Sequence, residues 1–101
     1  MNAEVRKIHS PKTSRNGGIT YTRIEFISDD GRWFHTDVVA SFRNAASWAP
    51  VIRAGVGTWI RINPQWINAD GTKISADSRP VVLEGPPESL DLPGFKGKGG
   101  D

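Results

Sequence analysis

The chain contains no cysteine among its 101 residues. That excludes a disulfide framework, a thiolate metal site and a cysteine nucleophile. It agrees with a reducing compartment. Histidine is almost as scarce, with His9 and His35 the only two. Neither has a carboxylate at metal-ligand spacing, so no metal and no other cofactor is expected. No serine sits in a nucleophile elbow, and Asn16-Gly17-Gly18 lacks the Gly-Lys-Ser/Thr of a phosphate loop. Asp29 and Asp30 mimic a catalytic carboxylate pair, but the glycine after them marks a hairpin turn, where aspartate is common. The expectation is a protein that is not an enzyme. Long apolar runs are missing too. Nothing approaches the roughly 20 residues of a membrane span, and residues 1–10 lack the apolar centre of a signal peptide. A soluble, cytoplasmic protein with no membrane partner is expected.

Charge is present but modest, at a formal net +2. It is unevenly spread. Arg6, Lys7, Lys12, Arg15 and Arg23 face only Glu4 in the first 23 residues. An excess of this size permits a polyanionic partner without requiring one.

What the chain has in abundance is strand pattern and tryptophan. Residues 3–9 read as a first strand, in which Val5 and Ile8 share a face only if the strand bulges. Residues 10–18 read as a polar loop ending in the turn signal Asn16-Gly17-Gly18. In residues 19–28, Thr20, Thr22, Ile24 and Phe26 alternate with Tyr21, Arg23, Glu25 and Ile27. After Asp29-Asp30-Gly31 the chain returns over residues 32–40. Phe34, Val38 and Ala40 are expected inward there, and Trp33, His35, Asp37 and Val39 outward. Residues 42–54 are alanine-rich, with the spacing of a short helix that Pro50 kinks or divides. Around Ile60 and Ile62 the alternation resumes. It runs into a polar arm over residues 63–73 that carries Trp66 before an Asn-Ala-Asp-Gly turn. Residues 77–84 read as a last strand. From residue 85 proline and glycine dominate, and a disordered tail is expected. Residues 1–84 then form one domain and residues 85–101 a flexible tail.

Five strands with a helix between the third and fourth are the order of an OB-fold barrel. The predicted fold class is therefore all-β, a five-stranded OB-fold barrel. In that architecture the loop at 10–18 and the arm at 63–73 flank a binding face. The chain has four tryptophans, and parity leaves Tyr21, Trp33 and Trp59 on the outer face, with Trp66 on the arm and Trp48 in the core. Arg23 and Arg61 share the outward parity, while Lys12, Arg15 and Lys73 border the same face. Aromatic faces interleaved with cations are what single-stranded nucleic acid requires, through base stacking and neutralisation of phosphates.

The runs GGITYTRIEF, WFHTDVVASFRNAA and AGVGTWIRINPQWINADG, taken in order, resemble the bacterial and phage single-stranded DNA-binding proteins. The resemblance spans residues 3–84. It implies that Trp33, Phe42 and Trp66 stack bases and that Arg6, Arg15 and Lys73 meet phosphates. Further implications are an assembly of two or four copies and a role in DNA replication, recombination and repair, with replication proteins as partners. A small phage-encoded or primosomal relative fits, working in the host cytoplasm if phage-encoded. There are departures. HTDVVASF places extra residues between Trp33 and Phe42, and the hairpin at 29–31 is short. Leu90-Asp91-Leu92-Pro93-Gly94-Phe95 only partly matches the family's acidic tip, with Lys96 and Lys98 following it.

The expected function is binding of single-stranded DNA with little sequence preference. Bases would stack on Trp33, Trp66, Tyr21, Phe42 and Trp59. Phosphates would follow Arg6, Lys12, Arg15, Arg23, Arg61 and Lys73. The alternatives are an OB-fold interaction or virion-structural module using the same aromatics, and an RNA-binding OB module.

Overall fold

In the computed structural model, residues 1–86 are described with the exception of 16, 65 and 75–78. The expected tail lies, from residue 87 onward, outside the described residues. Among the described residues the protein is mostly β, with six strands in one sheet and one short helix.

Period-two alternation builds the sheet. β3 (Thr20–Ser28) and β4 (Trp33–Val39) form an antiparallel hairpin in which Phe26 faces Phe34 and Ile24 faces Thr36. The two phenyl rings stack with centroids 6.2 Å apart. The connecting turn takes Gly31 to φ 89°, a conformation that side chains with a Cβ disfavour. On the other side of β3 runs β1 (Asn2–Ile8), with Ala3 opposite Ser28 and Val5 opposite Phe26. Its register shifts between Val5 and Lys7. That is the expected bulge, and it lets Val5 enter the core while Ile8 packs against it.

A strand that the sequence does not announce, β2 (Lys12–Thr13), resumes the pairing, with Lys12 opposite Tyr21 and Thr13 opposite Thr20. A plain loop is expected over residues 10–18. Pro11 cannot donate to a ladder, so pairing breaks there. Beyond it the chain still lies beside β3 and finds partners again.

The helix α1 (Asn44–Ala54) buries Trp48 and Val51. It is continuous through Pro50, so the expected division does not occur. Pro50 and Ala46 are both exposed, so water can satisfy the Ala46 carbonyl that the missing N–H leaves free. The helix ends at Gly55, whose N–H bonds to the Val51 carbonyl at 3.0 Å with φ 85° and ψ −175°. β5 (Trp59–Arg61) pairs with the free side of β1, Ala3 against Ile60, and β6 (Val81–Val82) pairs with β5. The last strand is thus shorter than the expected residues 77–84, of which 77 and 78 lie outside the described residues.

The sheet is open. Among the described residues no ladder joins β4 to β6, so the expected closed barrel is not formed. What approaches the free edge of β4 is the returning limb of the arm. His35 and Lys73 form a parallel bridge, and Ile67 and Ile74 an antiparallel one. The His35 N–H donates to the Thr72 carbonyl, the Ile74 N–H donates to the His35 carbonyl, and the buried Thr36 hydroxyl donates to the Ile74 carbonyl at 3.1 Å. At the arm's tip the Asn68 side-chain oxygen accepts from the Thr72 and Lys73 amides.

The core comprises Ala3, Val5, Ile24, Phe26, Phe34, Val38, Trp48, Val51, Ile60, Ile62 and Ile74. Every residue expected inward belongs to it except Ala40, which is exposed because β4 ends at Val39 and the chain turns. No helix among the described residues is long and apolar enough to cross a membrane.

Candidate functional site

The face of the sheet turned away from the core carries its own rows. Cross-strand registers join Trp59 of β5 to Glu4 of β1, Glu4 to Ile27 of β3, and Ile27 to Trp33 of β4. The Leu83 amide donates to the Trp59 carbonyl, extending that row past β6. It is apolar except for Glu4. Trp33, at its end, is 51% exposed, while Trp59 is half-buried within it. The next row joins Lys7, Glu25 and His35, with Lys73 bridged beside His35. Then come Arg23 with Asp37, and Lys12 with Tyr21 and Val39.

The hairpin register therefore brings Tyr21, Arg23 and Trp33 onto one surface. β2 adds Lys12, and the arm's return adds Lys73. Trp66, on the arm, is 53% exposed. The other expected residues lie away from this cluster. Arg61 faces Asn2 on the far side of β1 and donates to its side-chain oxygen at 3.1 Å. Arg6 occupies the bulge of β1 and pairs with Glu4 at 3.1 Å. Arg15 is exposed in the loop between β2 and β3. Phe42 is 57% exposed but sits in the turn between β4 and α1, off the sheet face, because β4 has already ended.

Two carboxylates organise the charges, and reading the sequence missed both roles. Asp37 accepts from Arg23 Nε at 2.8 Å and from a terminal nitrogen of Arg23 at 3.1 Å, and lies 3.5 Å from Lys73 Nζ. Burial pushes the Asp37 carboxyl up, but the Arg23 hydrogen bonds and the charges of Arg23, Lys73 and His35 together hold it below the ordinary range. The same hydrogen bonds raise Arg23. Glu25 bonds to His9 Nε2, and that bond lowers its carboxyl. His35 is lowered, first by burial and then by Arg23. The signal for Asp37 was present in the sequence. A turn that sets Ile27 opposite Trp33 must also set Arg23 opposite Asp37.

Where β1 gives way to β2, a hollow of about 90 Å³ is lined by His9, Ser10, Lys12, Tyr21 and Arg23. Two carboxylates that are not in its lining pair with lining residues, Glu25 with His9 and Asp37 with Arg23. Its walls offer the cations Lys12 and Arg23, the Ser10 and Tyr21 hydroxyls and the rings of His9 and Tyr21. Among the described residues no group of three or more His, Asp or Glu side chains is placed to hold a metal ion. Chemically the surface can stack flat rings and accept anions.

Compared with protein-family models, with curated proteins and with solved structures, the chain finds no match.

Proposed function

We propose that this protein binds single-stranded DNA with little sequence preference, stacking bases on Trp33, Trp66 and Tyr21 and neutralising phosphates with Lys12, Arg23 and Lys73. The observation that carries this reading is the gathering of Tyr21, Arg23, Trp33, Lys12 and Lys73 on one outer face, beside an arm that exposes Trp66. Exposed aromatics interleaved with cations suit a flexible strand. Each stacked base contributes roughly 1–3 kcal/mol.

We propose further that the open sheet is the partly open barrel of an OB-fold, of the kind the single-stranded DNA-binding proteins use. Three features favour this. β1 lies between β3 and β5, α1 connects β4 to β5, and the parallel His35–Lys73 bridge lies where such a barrel would close. Under this reading the protein works as a homo-oligomer in replication, recombination and repair.

The test is quenching of tryptophan fluorescence by oligo-dT across a salt series. Binding that weakens steeply with salt is expected, because phosphate neutralisation releases counterions. An absence of quenching at low salt up to high micromolar oligonucleotide overturns the proposal.

A second reading has its own observation. The apolar row through Leu83, Trp59, Ile27 and Trp33 suits a protein contact as well as it suits bases. An interaction or virion-structural module predicts that Trp33 and Trp59 become covered in an oligomer and that nucleic acid does not compete.

A further inference from the structure

We infer that the hollow between the end of β1, β2 and β3 is a seat for one phosphomonoester, the end group of a nucleic-acid strand. This rests on the nucleic-acid reading and adds to it a feature of the ligand, its phosphorylated end.

The lining carries the argument. Lys12 is exposed and forms no ion pair among the described residues, so its ammonium is free to meet an anion. Arg23 commits Nε and one terminal nitrogen to Asp37. A guanidinium has five N–H donors, so others are left to point elsewhere. Asp37 holds that guanidinium in place, and Glu25 holds the His9 ring. Ser10 and Tyr21 supply hydroxyls at the rim.

Shape then separates an end group from a passing backbone. A diester phosphate belongs to a chain that must enter and leave, and a groove suits it. A local hollow at the break in pairing between β1 and β2 suits a group attached on one side only. The space, about 90 Å³, is well below the roughly 300–1,000 Å³ of pockets that take drug-sized ligands. A space of that size suits a phosphoryl group better than a whole nucleotide. The end group also differs in charge. With a second pKa of about 6, a phosphomonoester approaches two negative charges at neutral pH and has three free oxygens. A backbone phosphate has one charge and two free oxygens. The free Lys12 ammonium and the spare Arg23 donors favour the former. Tyr21 forms one wall, against which the terminal sugar and base can rest while the strand continues toward Trp33.

The experiment measures affinity for short oligo-dT bearing a 5′-phosphate, a 3′-phosphate or only hydroxyl ends, at one fixed salt concentration. One phosphorylated end is expected to bind roughly tenfold tighter than the hydroxyl form, the worth of one added charge-assisted hydrogen bond. Lys12→Ala should abolish that preference. Equal affinity for all three ends overturns the seat while leaving the nucleic-acid reading intact. A preference that Lys12→Ala leaves unchanged also overturns it. If no oligonucleotide binds, the nucleic-acid reading fails and inorganic phosphate decides the seat. Amide shifts of Ser10, Lys12 and Tyr21 on phosphate titration would retain it as a phosphomonoester site. Their absence would end it.

Discussion

Asp37 accepts two hydrogen bonds from Arg23 across the β3–β4 pair, at 2.8 and 3.1 Å, and the same carboxylate stands 3.5 Å from Lys73. One acid thus ties a strand cation to an arm cation. The arm is already fastened to β4 by the His35–Lys73 bridge and the Thr36 hydroxyl. Asp37 adds an electrostatic tie on the outer face. It also neutralises two cations that the proposed function assigns to phosphates.

Asp37→Asn separates those roles. The ion pair is partly exposed, with Arg23 41% accessible, so solvent screening limits its worth. A loss of about 1 kcal/mol in stability is expected by urea denaturation. Oligo-dT affinity should rise. The slope of log affinity against log salt should steepen by about one, as an additional cation becomes available to phosphate. An unchanged slope would mean that Arg23 and Lys73 do not face nucleic acid.

Acid should destabilise the fold in two stages. His35 is lowered from its ordinary 6.5, first by burial, so the unfolded chain binds its proton more readily. A lowered group contributes stability above its unfolded pKa and loses it as pH falls through the folded value. The first decline therefore begins below about pH 6.5. Asp37 and Glu25 are lowered as well, Asp37 by Arg23 against its own burial and Glu25 chiefly by His9. Their contribution is fully present above the usual carboxylate range and disappears below about pH 4. Urea midpoints across a pH series check both stages. His35→Gln should flatten the upper decline and leave the lower one in place.

Most of the hairpin was legible in the sequence because its two strands alternate cleanly and its turn is marked by Asp29-Asp30-Gly31. Parity alone sorted Ile24, Phe26, Phe34 and Val38 from Tyr21, Arg23, Trp33 and His35. The bulge in β1 was legible for the same reason, since Val5 and Ile8 have incompatible parity in a flat strand. β2 was not legible. Two exposed residues after a proline carry no periodicity, and their pairing is imposed by β3. The helix's continuity through Pro50 depends on an exposed carbonyl, which composition does not reveal. Among the site residues, parity places Arg61 outward but cannot say that β5 lies beyond β1, away from Lys73. Phe42 enters through the family resemblance alone, and the end of β4 at Val39 moves it off the face.

Gly55→Ala should be costly although space is available. No atom lies within 4 Å of a Cβ built there. The cost comes from the backbone, since φ 85° with ψ −175° is a region that essentially only glycine occupies. Gly55 converts the end of α1 into the approach to β5, and its N–H is held by Val51. A loss of about 1–3 kcal/mol in denaturation is expected. Gly85→Ala, where φ is not positive and the space is equally open, serves as the control and should change little.

Trp66 and Trp48 should respond oppositely to the same substitution. Trp48 is fully buried in the core between α1 and the sheet, whereas Trp66 is 53% exposed on the arm. Trp48→Ala removes a large side chain from a small core, and a loss of about 3–5 kcal/mol in stability is expected. Trp66→Ala leaves the core untouched and should alter stability by no more than about 0.5 kcal/mol. If Trp66 stacks a base, the substitution weakens oligo-dT binding by about 1–3 kcal/mol, or five- to more than a hundredfold. Trp33→Ala should behave likewise, because Trp33 ends the outer row half-exposed. Stacking tolerates every base, so both losses should be of similar size on oligo-dT and oligo-dA. Folded Trp66→Ala and Trp33→Ala proteins that bind oligonucleotides with unchanged affinity would remove stacking at these positions. The outer row would then be left to a protein partner.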